Sequence, residues 1–296
     1  MDNVLTLIAG PGRLDESFIS YVDMTLRGAG AEVAPVEWLN YGVAADLPFS
    51  DIGCQDAVDL AFEVIEEAPI DAAAQPSADR RKRMLIADME STIIENEMLD
   101  ELAEEADLRP KIEAITARAM HGELDFFAAL RERVSLLSGL DEAALERARA
   151  KIRVTPGAKT LVATMHGHGA FCALVSGGFS YYTDYVRDTL GFDTDQSNRL
   201  EIKDGKLTGE VIAPMLGPDA KREKLLSLAS EKQIPPTAVL AVGDGANDLD
   251  MLAEAGLGVA YHAKPVAARS ADARIDHADL TALLYLQGYT ADEFID

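Results

Sequence analysis

The chain has 296 residues, a length suited to two domains, and its 48% apolar and 26% charged content is that of ordinary globular material. A net charge of −24 argues against nucleic acid and anionic membrane as partners. No segment approaches the roughly 18 uninterrupted apolar residues of a membrane span, and the acidic start Met1-Asp2-Asn3 lacks the basic lead of a signal peptide, so a cytoplasmic location is expected.

The first 79 residues carry 2 basic and 15 acidic side chains, so a charge of −13 sits in that quarter. "VLTLIAG" reads as a strand and "LDESFISYVDMTLRGAG" as a helix ending in glycine. "AEVAPVEWL" and "VAADLPF" read as two strands, "CQDAVDLAFEVIEE" as an amphipathic helix and "IDAAAQ" as a closing strand. The order βαββαβ predicts a small α+β sandwich over 1–79, with no cluster of catalytic residues. Cys54 and Cys172 occupy helix-like and strand-like apolar surroundings and read as buried, reduced thiols; Trp38 reads as core packing. "QPSADRRKR", residues 75 to 83, is polar and switches charge, which places the boundary there, with Arg80 to Arg83 as a solvated junction.

From residue 84 the pattern changes. "MLIA" (84–87), 170–175, 238–242 and 257–260 are short, continuously apolar runs separated by helical segments, the mark of strands buried on both faces of a parallel sheet. The fold class is therefore α/β, a Rossmann-like parallel sheet with a helical insertion at about 93–152. "RLEIKDGKLTGEV" is a hairpin about the type I′ pair Asp204-Gly205.

Ligands of open parallel sheets sit at the carboxyl ends of the strands. Three of those ends read "DMEST", "SGGF" and "GDGAND". A carboxylate such as Asp88 can attack phosphorus to form an aspartyl phosphate. Ser176 offers a hydroxyl, while Gly177 and Gly178 let backbone N–H groups approach an anion. Asp244 and Asp248 on a tight loop are hard oxygen donors that suit Mg²⁺ together with a phosphate. Lys221, early in a helix, has the reach to neutralise phosphate charge. An acidic chain repels an anionic substrate, so such a site needs this metal or this cation. The five histidines make no zinc spacing, and "GDGAND" lacks the lysine of a nucleotide phosphate loop.

In order and spacing, "DMEST", "SGGF", Lys221 and "GDGAND" resemble the four motifs of the haloacid dehalogenase-like phosphohydrolases. "ENEMLDELAEEA", "ITARAMHGELDFFAALRERVSLL", "TPGA" and "AVGDGANDLDML" are similar to the phosphoserine-hydrolysing branch of that family, over about residues 80 to 288. Residues 1–79 resemble, more distantly, the ACT-type domain that precedes some members. The resemblance implies a phosphatase domain over 80–296 that hydrolyses O-phospho-L-serine, the last step of serine synthesis. Asp88 is then the nucleophile and Glu90 the general acid and base. Mg²⁺ is held by Asp88, the Glu90 backbone carbonyl and Asp244, with Asp248 supporting the loop. Ser176, Gly177, Lys221 and Asn247 hold the phosphoryl group. The insertion becomes a cap in which Glu97 faces the substrate amino group, Arg133 pairs with its carboxylate, and Met120 and Phe126 exclude water. From its fold pattern alone, the acidic ACT-like segment is expected either to bind serine as a feedback ligand or to mediate a homodimer.

One position departs from the family, which usually has Asp where this chain has Glu90. The model acidities of the two differ by only about 0.4 pH unit, so the difference lies in reach: one methylene moves the carboxyl by roughly 1 Å, a displacement that can cost about 10²-fold in rate. The expectation is a locally adjusted loop in which Glu90 works normally. Two further outcomes stand beside it: slowed dephosphorylation that favours transfer to an amino-acid hydroxyl such as homoserine, and an impaired enzyme. A non-catalytic serine- or phosphoserine-binding regulator is the remaining alternative, opposed by the survival of Asp88, Lys221 and Asp244 together.

Overall fold

The strand β1 (Asn3–Ala9) sets the first layer. Its side chains alternate with period 2. Leu5, Leu7 and Ala9 face Val22 and Leu26 of the helix Glu16–Gly28 and Ala57, Ala61 and Ile65 of the helix Cys54–Ile65, while Ile8 faces the other way. The remaining strands are β2 (Glu32–Val33), β3 (Glu37–Asn40), β4 (Ala44–Ser50) and β5 (Ile70–Pro76). β4 and β5 flank β1, antiparallel to it, and β2 and β3 both pair with β4. The sequence reads β2 and β3 as one strand. Pro35 lies between them, and a residue without a backbone N–H interrupts a ladder. Trp38 is half-buried against this core and Cys54 is only half-buried, whereas Cys172 is fully enclosed. The structure is a computed structural model that describes residues 1–120 and 123–296, with the Met120 side chain outside the description; the expectation for Met120 therefore lies outside the described residues.

The second sheet is built from β6 (Met84–Ala87), β7 (Phe171–Phe179), β8 (Thr194–Lys203), β9 (Lys206–Ile212), β10 (Val239–Gly243), β11 (Leu257–Tyr261) and β12 (Ala273–Ile275), in the order β12-β11-β10-β6-β7-β8-β9. All neighbours are parallel except β8 and β9, the predicted hairpin. Asp204 at φ 51° and Gly205 at φ 73° carry the left-handed turn expected of that pair. β12 and the first residues of β8 escape the sequence reading because they are short or polar. β7 runs on through "SGGF", so the next helix begins only at Ser180. Both faces of the central strands are dry. Leu85, Ala87, Leu174 and Val242 enter one cluster, and Met84, Ile86, Ala173 and Ala241 enter another with Leu225 and Leu228 of the helix Ala220–Lys232.

Between β6 and β7 lies the insertion, with helices Met98–Glu104, Arg109–Met120, Phe126–Ser135 and Ala143–Arg149. Bridges from Ile94 to Glu90 and to Val154 tie its two connections together at the sheet. Leu102, Ile112, Leu130 and Val134 point inward from these helices and join the large core cluster.

The face of the first sheet opposite its helices packs on the second layer. Ile8, Leu39, Ala44 and Ala73 share a cluster with Leu85 and Tyr285. Asp71, 3% exposed, accepts backbone N–H bonds from Asp276, His277 and Ala278. Arg80 donates to Asp46 at 2.6 Å and also reaches Thr6 and the carbonyls of Tyr285 and Leu286. Lys82, 8% exposed, donates to the carbonyls of Asp79 and Thr237. The expected solvated junction is therefore half buried: Arg80 and Lys82 are drawn in against carbonyls and a carboxylate, while Arg81 and Arg83 stay exposed. Among the described residues no helix is long and apolar enough to cross a membrane.

Candidate active site

Three parallel strands, β6, β7 and β10, end side by side, and each delivers one polar group to the same place. Asp88 follows β6, its N–H still bonded to the Val242 carbonyl at 3.0 Å. Ser176 lies in β7, 1% exposed, and its Oγ accepts the Gly178 N–H at 2.9 Å, which leaves its own proton to donate. Asp244 follows β10. Lys221 enters from the first turn of the helix Ala220–Lys232 and is buried, unlike most helical lysines. Its Nζ lies 2.8 Å from Asp88 Oδ2 and 2.5 Å from Asp248 Oδ1. Asp248 also accepts the Gly245 N–H at 2.9 Å, so both of its oxygens are engaged in holding the loop.

Oxygens of Asp88, Asp244 and Asp248 converge within 4.8 Å of one another, all buried. Among the described residues Lys221 is the one buried ammonium beside these three carboxylates. Burial and then the Asp248 charge push Asp88 up to about 7, against the pull of Lys221. Burial also raises Asp244, opposed by Lys264, whose ammonium sits 3.1 Å from Asp244 Oδ2. Burial alone would lower Lys221, but Asp88 and Asp248 outweigh it and hold the ammonium charged. Hard oxygen donors with surplus negative charge fit a small divalent cation.

Glu90 points inward. The residue keeps some exposure, yet its carboxyl is enclosed, with Oε1 accepting the Met98 N–H at 2.8 Å. Burial and then the Glu97 charge raise Glu90 to about 8. Ser91 turns the chain away at φ 55°, a left-handed conformation costly for a non-glycine residue and typical of functional loops. Its Oγ donates to Glu97 Oε1 at 2.7 Å, and although the Glu97 residue is exposed, desolvation of its carboxyl raises it against that bond. Arg133 reaches the same space from the helix Phe126–Ser135. Its Nε donates to its own helix at the Ala129 carbonyl, and no carboxylate among the described residues lies within ion-pairing distance. Burial lowers Arg133, and the charges of Glu90, Asp100 and Glu97 oppose this. Phe126 closes a cleft shared with Ser176, Gly177, Lys221 and Asn247. Of the expected site residues, Phe126, Ser176, Gly177, Lys221 and Asn247 line this cleft, while Asp88 and Asp248 reach it through their contacts with Lys221.

Two residues escape the sequence reading. Asn198, 1% exposed, donates from Nδ2 to the Gly177 carbonyl and accepts the Leu216 N–H at Oδ1, each at 2.8 Å, and so ties the β7 loop to the 216–218 turn of the cleft. The available signal was an asparagine inside a strand, where that residue is disfavoured. Lys264 follows β11 and gave no signal beyond its charge.

The haloacid dehalogenase-like hydrolase family profile matches residues 85–253. The chain belongs to that family. It is 38% identical over 274 residues to a phosphoserine phosphatase of Streptomyces coelicolor, covering 93% of this chain and 65% of that one, so it spans about two thirds of that relative's length. A solved structure of a probable phosphoserine phosphatase from Vibrio cholerae superposes with a TM-score of 0.81 at 32% identity, covering 99% of this chain and 88% of that one. A substrate-bound phosphoserine phosphatase matches with a TM-score of 0.65 at 40% identity, over 69% of this chain and 98% of that one.

Proposed function

We propose that the chain hydrolyses O-phospho-L-serine to L-serine and phosphate, with Mg²⁺ as cofactor and Asp88 as the phosphoryl acceptor. The observation that carries this reading is the pairing of Asp88 with Lys221 at 2.8 Å, at strand ends shared with Ser176 and Asp244, beside an Arg133 that has no carboxylate partner among the described residues. The Asp88 and Asp244 carboxylates and the Glu90 carbonyl would hold the ion, with Asp248 bracing the loop. When bound, the ion supplies positive charge that draws phosphoryl oxygens toward Asp88.

The chain's own groups account for the rest. Ser176, the Gly177 N–H, Lys221 and Asn247 bind the phosphoryl oxygens, and Arg133 and Glu97 take the carboxylate and ammonium of the amino acid. Asp88 attacks phosphorus while the bond to the serine oxygen breaks, and protonated Glu90 gives that oxygen its proton. Glu90, now ionised, accepts a proton from water as the water attacks the aspartyl phosphate, which restores Asp88 and releases phosphate. A pKa pushed up to about 8 suits Glu90 to the first step, because the group is still protonated near neutral pH. Phe126 and the other cap side chains keep competing solvent out.

The two unpaired thiols, Cys54 and Cys172, suit a cytoplasmic setting. Residues 1–79 form the ACT-like lobe of this reading, with serine as its feedback ligand. Titration of serine against the activity of the full chain tests that part, and unchanged turnover refutes it. For the reaction itself, phosphate release is measured from O-phospho-L-serine beside other phosphomonoesters, with and without Mg²⁺, for the wild type and Asp88→Asn. Release from phosphoserine that needs both Asp88 and the ion is expected. Release that survives Asp88→Asn, or a phosphorylated product formed with an added amino-acid acceptor, overturns it.

A further inference from the structure

The extra methylene of Glu90 has to go somewhere, and the structure contains the space it uses. A Cβ added to Gly178 would stand 2.9 Å from Glu90 Oε2 and 3.1 Å from Oε1 and Cδ, closer than carbon and carboxylate tolerate. On its other side the carboxyl meets the Met98 N–H at 2.8 Å, the first residue of the leading cap helix. Gly178 is not among the residues with left-handed φ, so its backbone does not itself require glycine. Its neighbour Gly177 gives the contrast, since a Cβ there would meet nothing within 4 Å. The missing side chain at 178 is therefore filled by Glu90 in particular.

Resting on the reading of Glu90 as acid and base, we propose that Gly178 is a positioning residue. Its bare Cα is the wall against which the longer carboxyl is set, and the Met98 N–H is the clamp that completes the placement. Together they convert a side chain one methylene too long into a correctly placed one. A methyl at 178 drives the carboxyl off its hydrogen bond, and the fold tolerates this because only the flexible end of Glu90 must move. With a shorter aspartate at position 90 the methyl meets no carboxyl.

A double-mutant cycle on turnover of O-phospho-L-serine with Mg²⁺, comparing the wild type, Gly178→Ala, Glu90→Asp and the double variant, tests this. Gly178→Ala is expected to lower kcat by about 10–100-fold when Glu90 is present, the cost of a displacement near 1 Å, with KM nearly unchanged. In the Glu90→Asp background the same substitution is expected to cost less than about threefold, since the coupling partner is gone. Equal losses in both backgrounds overturn the proposal, because they assign Gly178 to the phosphate loop alone. Crystal structures of the wild type and Gly178→Ala give an arm independent of activity. Loss of the Glu90–Met98 hydrogen bond in the variant is expected, and its retention at 2.8 Å refutes the placement. If the wild type releases phosphate from no monoester, the functional reading falls while the structures still judge the spatial claim.

Discussion

Two places in this protein bury carboxylates, and they do so in opposite ways. At the junction of the two sheets, Asp46 and Asp71 are 2% and 3% exposed. Asp46 receives Arg80 on both oxygens and Thr6 on one, and Asp71 receives backbone donors on both of its oxygens. At the strand ends of the second sheet, Asp88 and Asp248 share the buried Lys221 ammonium, Asp244 meets the exposed Lys264, and Asp88 and Glu90 are both pushed upward by burial. Burial does not distinguish the two sets. The supply of partners does: a buried charge with every lone pair answered is structural, and a surplus of charge waits for a ligand.

If the contrast is right, substitutions at the two places separate activity from stability. The largest effect is expected at the strand ends. Asp88→Asn should lower phosphate release by at least about 10⁴-fold, as removal of a nucleophile does, while the melting temperature stays level or rises because one crowded carboxylate is gone. A fall in melting temperature would place Asp88 with the structural set. Asn198 joins the categories, since its amide is fully satisfied yet clamps the cleft. Asn198→Leu should lower kcat by about 10–100-fold through displacement of the Gly177 peptide, and unchanged steady-state kinetics would make the clamp purely architectural. At the junction, Asp71→Ala leaves three backbone N–H groups without an acceptor and should cost about 1–3 kcal/mol of stability by denaturant titration, with kcat of the folded protein preserved. Loss of kcat would show that the junction serves the site.

The smallest effect concerns pH. Asp88 rises from 3.8 to about 7 and Glu90 from 4.5 to about 8 in the folded chain, so the native state holds protons that the unfolded chain releases. In chelator, stability from these groups is fully present below about pH 4 and is lost as pH rises through about 7 to 8. Glu90→Gln should flatten the upper end of that decline in denaturant midpoints measured across pH. An identical slope for the variant would mean that Glu90 does not carry the proton.

The site was largely legible in the sequence because its parts sit at fixed places relative to apolar runs. "MLIA" announces Asp88, and "AVLAVG" announces Asp244, since a parallel strand aims its carboxyl end at the ligand. The departure at Glu90 was legible too, but its accommodation was not: Gly178 is far along the chain, and only register in the sheet brings the two together. Arg80 failed for the same reason. A basic run looks solvated until a carboxylate 34 residues upstream is folded against it. Pro35 was visible, yet its splitting of β2 from β3 shows only once both pair with β4.

Besides the interior it keeps between its own sheet and helices, the amino-terminal layer shares an apolar cluster with Leu85 and Tyr285 through Ile8, Leu39, Ala44 and Ala73. Heating should then produce a single calorimetric peak whose van't Hoff and measured enthalpies agree, with neither layer melting ahead of the other.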